Sequence, residues 1–158
     1  MTFCVRLLIP ADLSAAAHLE RLCFSRPWSE SVLQSEFENG CLFWGAFAAG
    51  QLAGYVGLKI AADEGYVGNL AVSPDFRRRG VGQALMDALL AHAKSSGLAF
   101  VTLEARVSNT AARALYEKNG FSLMGIRPDF YSEPVEDAAI YKLERLTLFV
   151  DSRNRILL

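Results

Sequence analysis

Between Asn69 and Leu85 the chain changes its hydrophobic period, and it does so across an unusual turn. Asn69-Leu70-Ala71-Val72 reads as a buried strand, which Pro74 and Asp75 break. A basic, glycine-containing run follows, Arg77-Arg78-Arg79-Gly80-Val81-Gly82-Gln83. From there Leu85, Met86, Leu89, Leu90 and Ala93 recur at helical spacing. A strand that feeds a helix this way aims unpaired N–H groups outward at the helix N-terminus, which favours an anion. The three arginines add positive charge, so a phosphate or pyrophosphate is the simplest ligand. Taken alone the turn is a weak signal. It lacks the Gly-Lys-Ser/Thr ending of a nucleotide P-loop and the GxGxxG of a dinucleotide site. A tight strand–helix connection with solvated arginines explains it equally well.

The length of 158 residues fits one domain spanning 1–158, with 147–158 as a candidate C-terminal tail. A net charge of −1 gives no whole-chain case for nucleic-acid binding, and the local basic run is too short to make one. Cys4, Cys23 and Cys41 are odd in number and widely spaced, which argues against a disulfide framework and a zinc site. His18 and His92 have no ligand partner at useful spacing, so no metal is expected. No apolar run is long enough to span a bilayer and no secretory signal pattern opens the chain, so a cytoplasmic location without membrane partners is expected. The sequence assigns no oligomeric state.

Taken in order, Phe3 to Ile9 reads as a strand, and Pro10 opens a helix with a stripe of Leu13, Ala16, Ala17, Leu19 and Leu22. Ser29 reads as the N-cap of a helix carrying Val32, Leu33 and Phe37, which Asn39-Gly40 ends. Cys41 to Ala48 and Gln51 to Ile60 form a hairpin about Ala49-Gly50. A turn at Asp63-Glu64-Gly65 leads to a strand from Tyr66 to Val72. The helix from Val81 to Ser96 stops at Gly97, and a strand from Ala99 to Val107 follows as a parallel neighbour. Ser108 caps a helix from Asn109 to Lys118. Strands follow at Phe121 to Ile126 and Ala138 to Leu148, with an irregular Arg127 to Asp137 between them and a patternless Asp151 to Leu158 at the end. The sum is a mixed α/β domain, antiparallel at the start and with a parallel pair near the central turn.

These residues carry a family resemblance. Asn69 to Leu85 resembles the acetyl-coenzyme A motif of the GNAT N-acetyltransferases, whose Arg/Gln-x-x-Gly-x-Gly/Ala pattern is met by Arg77, Gly80 and Gly82. Leu103 to Asn109, Ala112 and Leu115 to Phe121, with Pro27-Trp28-Ser29 and Glu136-Asp137-Ala138, are similar to the ribosomal-protein-alanine N-acetyltransferases, the RimI type. The likeness runs from Phe3 to about Leu146. The chain departs from that group at Phe130-Tyr131, where paired tyrosines are usual, at Glu104-Ala105-Arg106, and in its longer tail. The resemblance implies the GNAT fold of α/β (α+β) class: a mixed, mostly antiparallel sheet with a splayed parallel strand pair, flanked by helices. It implies acetyl transfer from acetyl-CoA to a protein N-terminus, that of a ribosomal protein among them.

Such a reaction sets three tasks: holding the donor, deprotonating the amine and protonating the leaving thiolate. Arg78, Arg79, Gly80, Val81, Gly82 and Gln83 would hold the pyrophosphate through backbone amides, with Arg77 a further donor-site residue of the motif. The resemblance sets Leu70, Ala71 and Val72 along the pantetheine arm, with a backbone N–H near Ala71 polarising the thioester. Core strand is the plain alternative, and both can hold. Glu104 is the candidate base, acting through a water; an ion pair with Arg106 on the same strand face is the alternative. Tyr116 is the candidate acid and Asn109 a pantetheine contact, seven residues apart and about 10.5 Å along a helix axis. A core tyrosine is the alternative there. Trp28, Arg127 and Tyr131 are acceptor-site candidates in irregular segments, where packing roles are equally open. Two rival readings remain: a GNAT enzyme acting on a small amine, and a non-catalytic acyl-CoA-binding module.

Overall fold

A computed structural model describes residues 2–144, 146, 149–150 and 156–157. The helices are α1 (Leu13–Cys23), α2 (Glu30–Glu38), α3 (Val81–Ser95) and α4 (Thr110–Lys118). The strands are β1 (Cys4–Leu7), β2 (Leu42–Ala48), β3 (Gln51–Ala61), β4 (Glu64–Val72), β5 (Phe100–Arg106), β6 (Ser122–Tyr131) and β7 (Glu136–Glu144). They form a seven-stranded sheet in the order β1-β2-β3-β4-β5-β7-β6. Two short strands, β8 (Phe149–Val150) and β9 (Ile156–Leu157), pair antiparallel with each other.

Hydrophobic alternation explains why helices cover both faces of the sheet. Val56 and Leu58 of β3 turn to one side, where Leu85, Met86 and Leu89 of α3 bury them. Tyr55, just before Val56, turns to the other side with Leu13, Ala16 and Ala17 of α1 and Leu33 of α2. The expected α3 stripe of Leu85, Met86, Leu89, Leu90 and Ala93 is buried in full. In α1 the stripe differs. Leu22 is exposed, and Glu20 is buried in line with Ala16 and Ala17.

The feature that positions the site lies at the centre of the sheet. β4 and β5 are the parallel pair, and they touch only at Glu64–Phe100, Gly65–Val101 and Tyr66–Thr102. Beyond Tyr66 they diverge. β4 stays with β3 up to Val72, and β5 stays with β7 up to Arg106. The expected splayed pair is present.

Several boundaries differ from the expected ones. The first strand is shorter than Phe3 to Ile9, and Pro10–Asp12 form a 3₁₀ turn before α1, because the Asp12 carboxylate accepts the Ile9 N–H at 2.8 Å and ties the chain there. The turn expected at Asp63 to Gly65 sits at Ala62 and Asp63; Glu64 and Gly65 are in β4, since both pair with β3 and β5. Asn109, not Ser108, is the N-cap of α4: its Oδ1 accepts the Ala112 N–H at 3.1 Å, while the Ser108 N–H goes to Glu136. The segment Arg127 to Asp137 is a hairpin end rather than irregular. β6 runs to Tyr131 because it is an edge strand with a register shift, where Pro128 costs no ladder bond. The strand expected to reach Leu148 is described to Glu144; 145, 147 and 148 lie outside the described residues. Of the tail expected to be patternless, Ile156 and Leu157 are paired, and 151–155 and 158 lie outside the described residues. Among the described residues no helix is long and apolar enough to cross a membrane.

Leu89 is fully buried under the sheet and Leu123 is exposed on β6. Leu89→Ala is expected to lower the unfolding free energy by about 3 kcal/mol, and Leu123→Ala by less than about 0.5 kcal/mol. Urea denaturation of the two variants checks this; equal losses would contradict the assigned core.

Candidate active site

The donor end is built at the start of α3. Gly80 is the N-cap, at φ 85°, a backbone conformation that glycine adopts freely. The first helical bond runs from the Ala84 N–H to the Gly80 carbonyl at 3.0 Å. The amides of Val81, Gly82 and Gln83 precede it and so lack a helical acceptor, leaving partial positive charge at that end. Gly82 is small for a different reason: a Cβ there would lie 3.2 Å from Leu115, so α4 could not pack as closely. The side chains of this run are partly committed. Arg77 turns back, its Nε donating to the Val72 carbonyl at 3.1 Å. Gln83 Nε2 donates to Asp87 and Asn119. Arg78 and Arg79 are exposed, with the Arg79 guanidinium 5.9 Å from the Phe76 ring centroid.

A cavity of about 520 Å³ opens where β4 and β5 part. Leu70, Glu104, Asn109, Tyr116, Trp28 and Tyr131 all line it, so six of the expected site residues meet there. Tyr116 belongs to the core layer under α3, and Trp28 packs on the layer under α1. The opening therefore runs through the sheet, from one face to the other. The remaining candidates lie elsewhere. Ala71 is buried in the α1 layer, and the Val72 carbonyl is taken by Arg77. Arg127 lines a neighbouring groove with Met124, Ile126 and Ile140, and its charge still acts on Tyr66 in the cavity. It sits on β6 rather than in an irregular segment, as does Tyr131.

Glu104 accepts a hydrogen bond from the Tyr66 hydroxyl at 2.5 Å. Burial, then this bond, pushes the Tyr66 phenol upward. The alternative pairing with Arg106 is not what the structure holds. Arg106 donates to the carbonyls of Ser132 and Pro134 and to Glu136, and lies 4.6 Å from the Tyr131 ring centroid. Tyr66 escaped the sequence reading. The parallel register pairs Tyr66 with Thr102, two residues before Glu104, and that register is set by tertiary contact.

Tyr116 is 5% exposed, with its ring against Phe121 and Tyr141 at 6.0 and 6.1 Å. Burial raises its phenol, so the group stays protonated at neutral pH and can give up a proton only to a strong demand. Asn109 lines the cavity and its Oδ1 caps α4, so it precedes the helix that carries Tyr116 instead of sharing it.

On the opposite face, the loop between α1 and α2 forms one wall and the β6–β7 hairpin the other. Arg26 Nη1 donates to Ser132 Oγ at 2.7 Å and joins them. Under that loop the Glu20 carboxylate, fully buried, accepts from the Tyr55 hydroxyl, from Asn69 Nδ2 at 2.7 Å and from the Trp28 N–H at 3.0 Å. The signal for Glu20 was its helical phase with Ala16, which its charge obscured. Among the described residues no group of His, Cys, Asp and Glu could hold a metal ion.

A model of the acetyltransferase (GNAT) family matches residues 13–121. The chain belongs to the GNAT acetyltransferase family. GNAT enzymes use acetyl-CoA as donor. The chain is 37% identical over 134 residues to the [ribosomal protein bS18]-alanine N-acetyltransferase of Escherichia coli K12, which covers 84% of this chain and 90% of that one. The crystal structure of the Escherichia coli ribosomal-protein-S18-alanine N-acetyltransferase superposes with a TM-score of 0.87 at 33% identity, over 96% of this chain and 98% of that one. The PaiA N-acetyltransferase of Thermoplasma acidophilum, solved with coenzyme A, shares the GNAT fold at a TM-score of 0.76 and 22% identity, over 92% of this chain and 100% of that one.

Burial is also the leading cause that raises the Tyr55 phenol and lifts Tyr131 to about 12. The folded chain thus holds the protons of Tyr55, Tyr66, Tyr116 and Tyr131 more tightly than the unfolded chain does. Their contribution to stability is complete below the unfolded phenol value of about 10 and is lost as pH rises from there through the folded values. Urea midpoints are expected to hold up to about pH 9.5 and to fall by about pH 11. A midpoint that rises over that range would reverse the sign of this linkage.

Proposed function

We propose that the protein acetylates the N-terminal α-amine of a protein, with acetyl-CoA as donor and a ribosomal protein beginning with alanine as acceptor. The observation that carries this reading is the cavity through the sheet, lined by Ala112 and Tyr116 of α4 on one face and by the Trp28 loop on the other. Donor and acceptor then approach from opposite sides and meet between β4 and β5. The likeness to the Escherichia coli enzyme over most of both chains supports the same substrate class. The corresponding location is the cytoplasm.

The free amides at the start of α3 suit the pyrophosphate of the donor. The amine attacks the thioester carbonyl; an N–C bond forms and the C–S bond breaks. Glu104 takes the ammonium proton through a water, and Tyr66 fixes the carboxylate in place. A free α-amine has a pKa of about 8, so a modest base is enough. Tyr116 gives its proton to the departing thiolate, or stabilises it by a hydrogen bond; the second proton that the nitrogen sheds as the amide forms goes to solvent, and solvent restores the Tyr116 phenol.

The lining of the cavity bears on the acceptor. It has one acidic side chain, Glu104, and three basic ones, Arg26, Lys59 and Arg106. That balance suits a peptide end and disfavours a polyamine, which needs an acidic pocket. A binding module would have no use for Glu104 held by Tyr66.

Glu104→Gln is expected to lower kcat by about a hundredfold or more while leaving the acetyl-CoA KM near its original value. Tyr116→Phe is expected to lower kcat as well. Initial rates with labelled acetyl-CoA test both, using short peptides that begin with alanine or other residues beside spermidine and free lysine. Unchanged turnover in Glu104→Gln would remove Glu104 from the chemistry. Turnover of the small amines alone would move the protein to another substrate class.

A further inference from the structure

The buried carboxylate of Glu20 has three donors from three places: Tyr55 on β3, Asn69 on β4 and the backbone of Trp28 in the loop after α1. None of the three carries a charge. A fully buried anion without a cation is expensive to keep, and a glutamine or a leucine would suit a plain core better. What the charge adds is strength, because hydrogen bonds to a carboxylate are stronger than neutral ones.

The bonds are also directed. Trp28 and Asn69 line the cavity, whereas Glu20 does not reach it. Trp28 is held twice: its N–H by Glu20, and its indole above Gly68, where a Cβ would lie 3.5 Å from the ring. From these contacts we infer that Glu20 is a positioning residue for acceptor binding. Through the Trp28 N–H it sets how far the α1–α2 loop stands from β4, and so the width of the acceptor entrance. The inference rests on the reading that the Trp28 wall receives the acceptor.

The two carboxylate oxygens divide the work, which makes the inference testable. Oε1 accepts from Tyr55 and Asn69, and Oε2 accepts from Trp28. In Glu20→Gln the amide oxygen can replace Oε1 and keep two partners. Its NH₂ then faces the Trp28 N–H, donor against donor, and the loop is released. Tyr55→Phe disturbs the same cluster at Oε1 and leaves the Trp28 bond intact.

Steady-state kinetics of Glu20→Gln, Tyr55→Phe and Trp28→Ala, with peptide and acetyl-CoA varied in turn, decide the matter. Glu20→Gln is expected to raise the peptide KM by about tenfold, with the acetyl-CoA KM little changed. Tyr55→Phe is expected to leave the peptide KM within about twofold. Equal effects of these two variants on the peptide KM, or none from Glu20→Gln, would overturn the inference. A raised peptide KM in Trp28→Ala together with an unaffected Glu20→Gln would sink the inference alone. An unaffected Trp28→Ala would remove the acceptor wall itself and the inference with it. Should Glu20→Gln not fold, amide hydrogen exchange of the unaltered protein gives the same decision. The Trp28 amide is expected to exchange far more slowly than those of Ser25 and Arg26, and more slowly still with peptide bound; exchange at the rate of its neighbours would overturn the inference.

Discussion

The parting of β4 and β5 is the constraint on which the rest depends. A sheet gains from every cross-strand pair, yet here the parallel pair stops after three residues while both strands run on. The gap persists because each strand is fully engaged on its other edge, β4 with β3 and β5 with β7. Two packed layers hold the halves in place, α3 on one face and α1 with α2 on the other. Rigid elements thus set the opening between the strands, and the α1–α2 loop walls it on one face.

Polar contacts finish what the layers begin. Arg106 leaves Glu104 free by binding the carbonyls at the tip of the β6–β7 hairpin. Glu136 joins it and also accepts the Ser108 N–H, which steadies the approach to α4. The carboxylate of Glu136 is held below its usual range chiefly by the Ser108 contact, so it remains charged in mildly acid solution. On the far side Glu20 does the corresponding work for the α1–α2 loop. The two systems place one wall each.

Local pattern made much of this legible. The α3 stripe, the Ser29 cap and the Ala49-Gly50 hairpin follow from spacing and turn chemistry alone, and both turn residues have positive φ. Glu104 and Tyr116 came from the family likeness, and both line the cavity. What escaped depended on distant partners. Glu20 is buried because of Tyr55 and Asn69, 35 and 49 residues away. Tyr66 meets Glu104 only once the parallel register is set. The extension of β6 through Pro128 depends on its place at the sheet edge, which a one-dimensional pattern does not contain.

An open seam in the middle of a sheet has a thermodynamic consequence. The edge of β4 beyond Tyr66 has no partner strand in β5. A molecule lying along that edge would occupy the place of the missing ladder, with backbone groups already oriented for it. Occupancy and folding then belong to one equilibrium: whatever fills the seam in the folded chain and ignores the unfolded one raises the free energy of unfolding by RT ln(1 + [L]/Kd). The fold at rest thus carries an unfilled seam, and filling it and folding are one thermodynamic event.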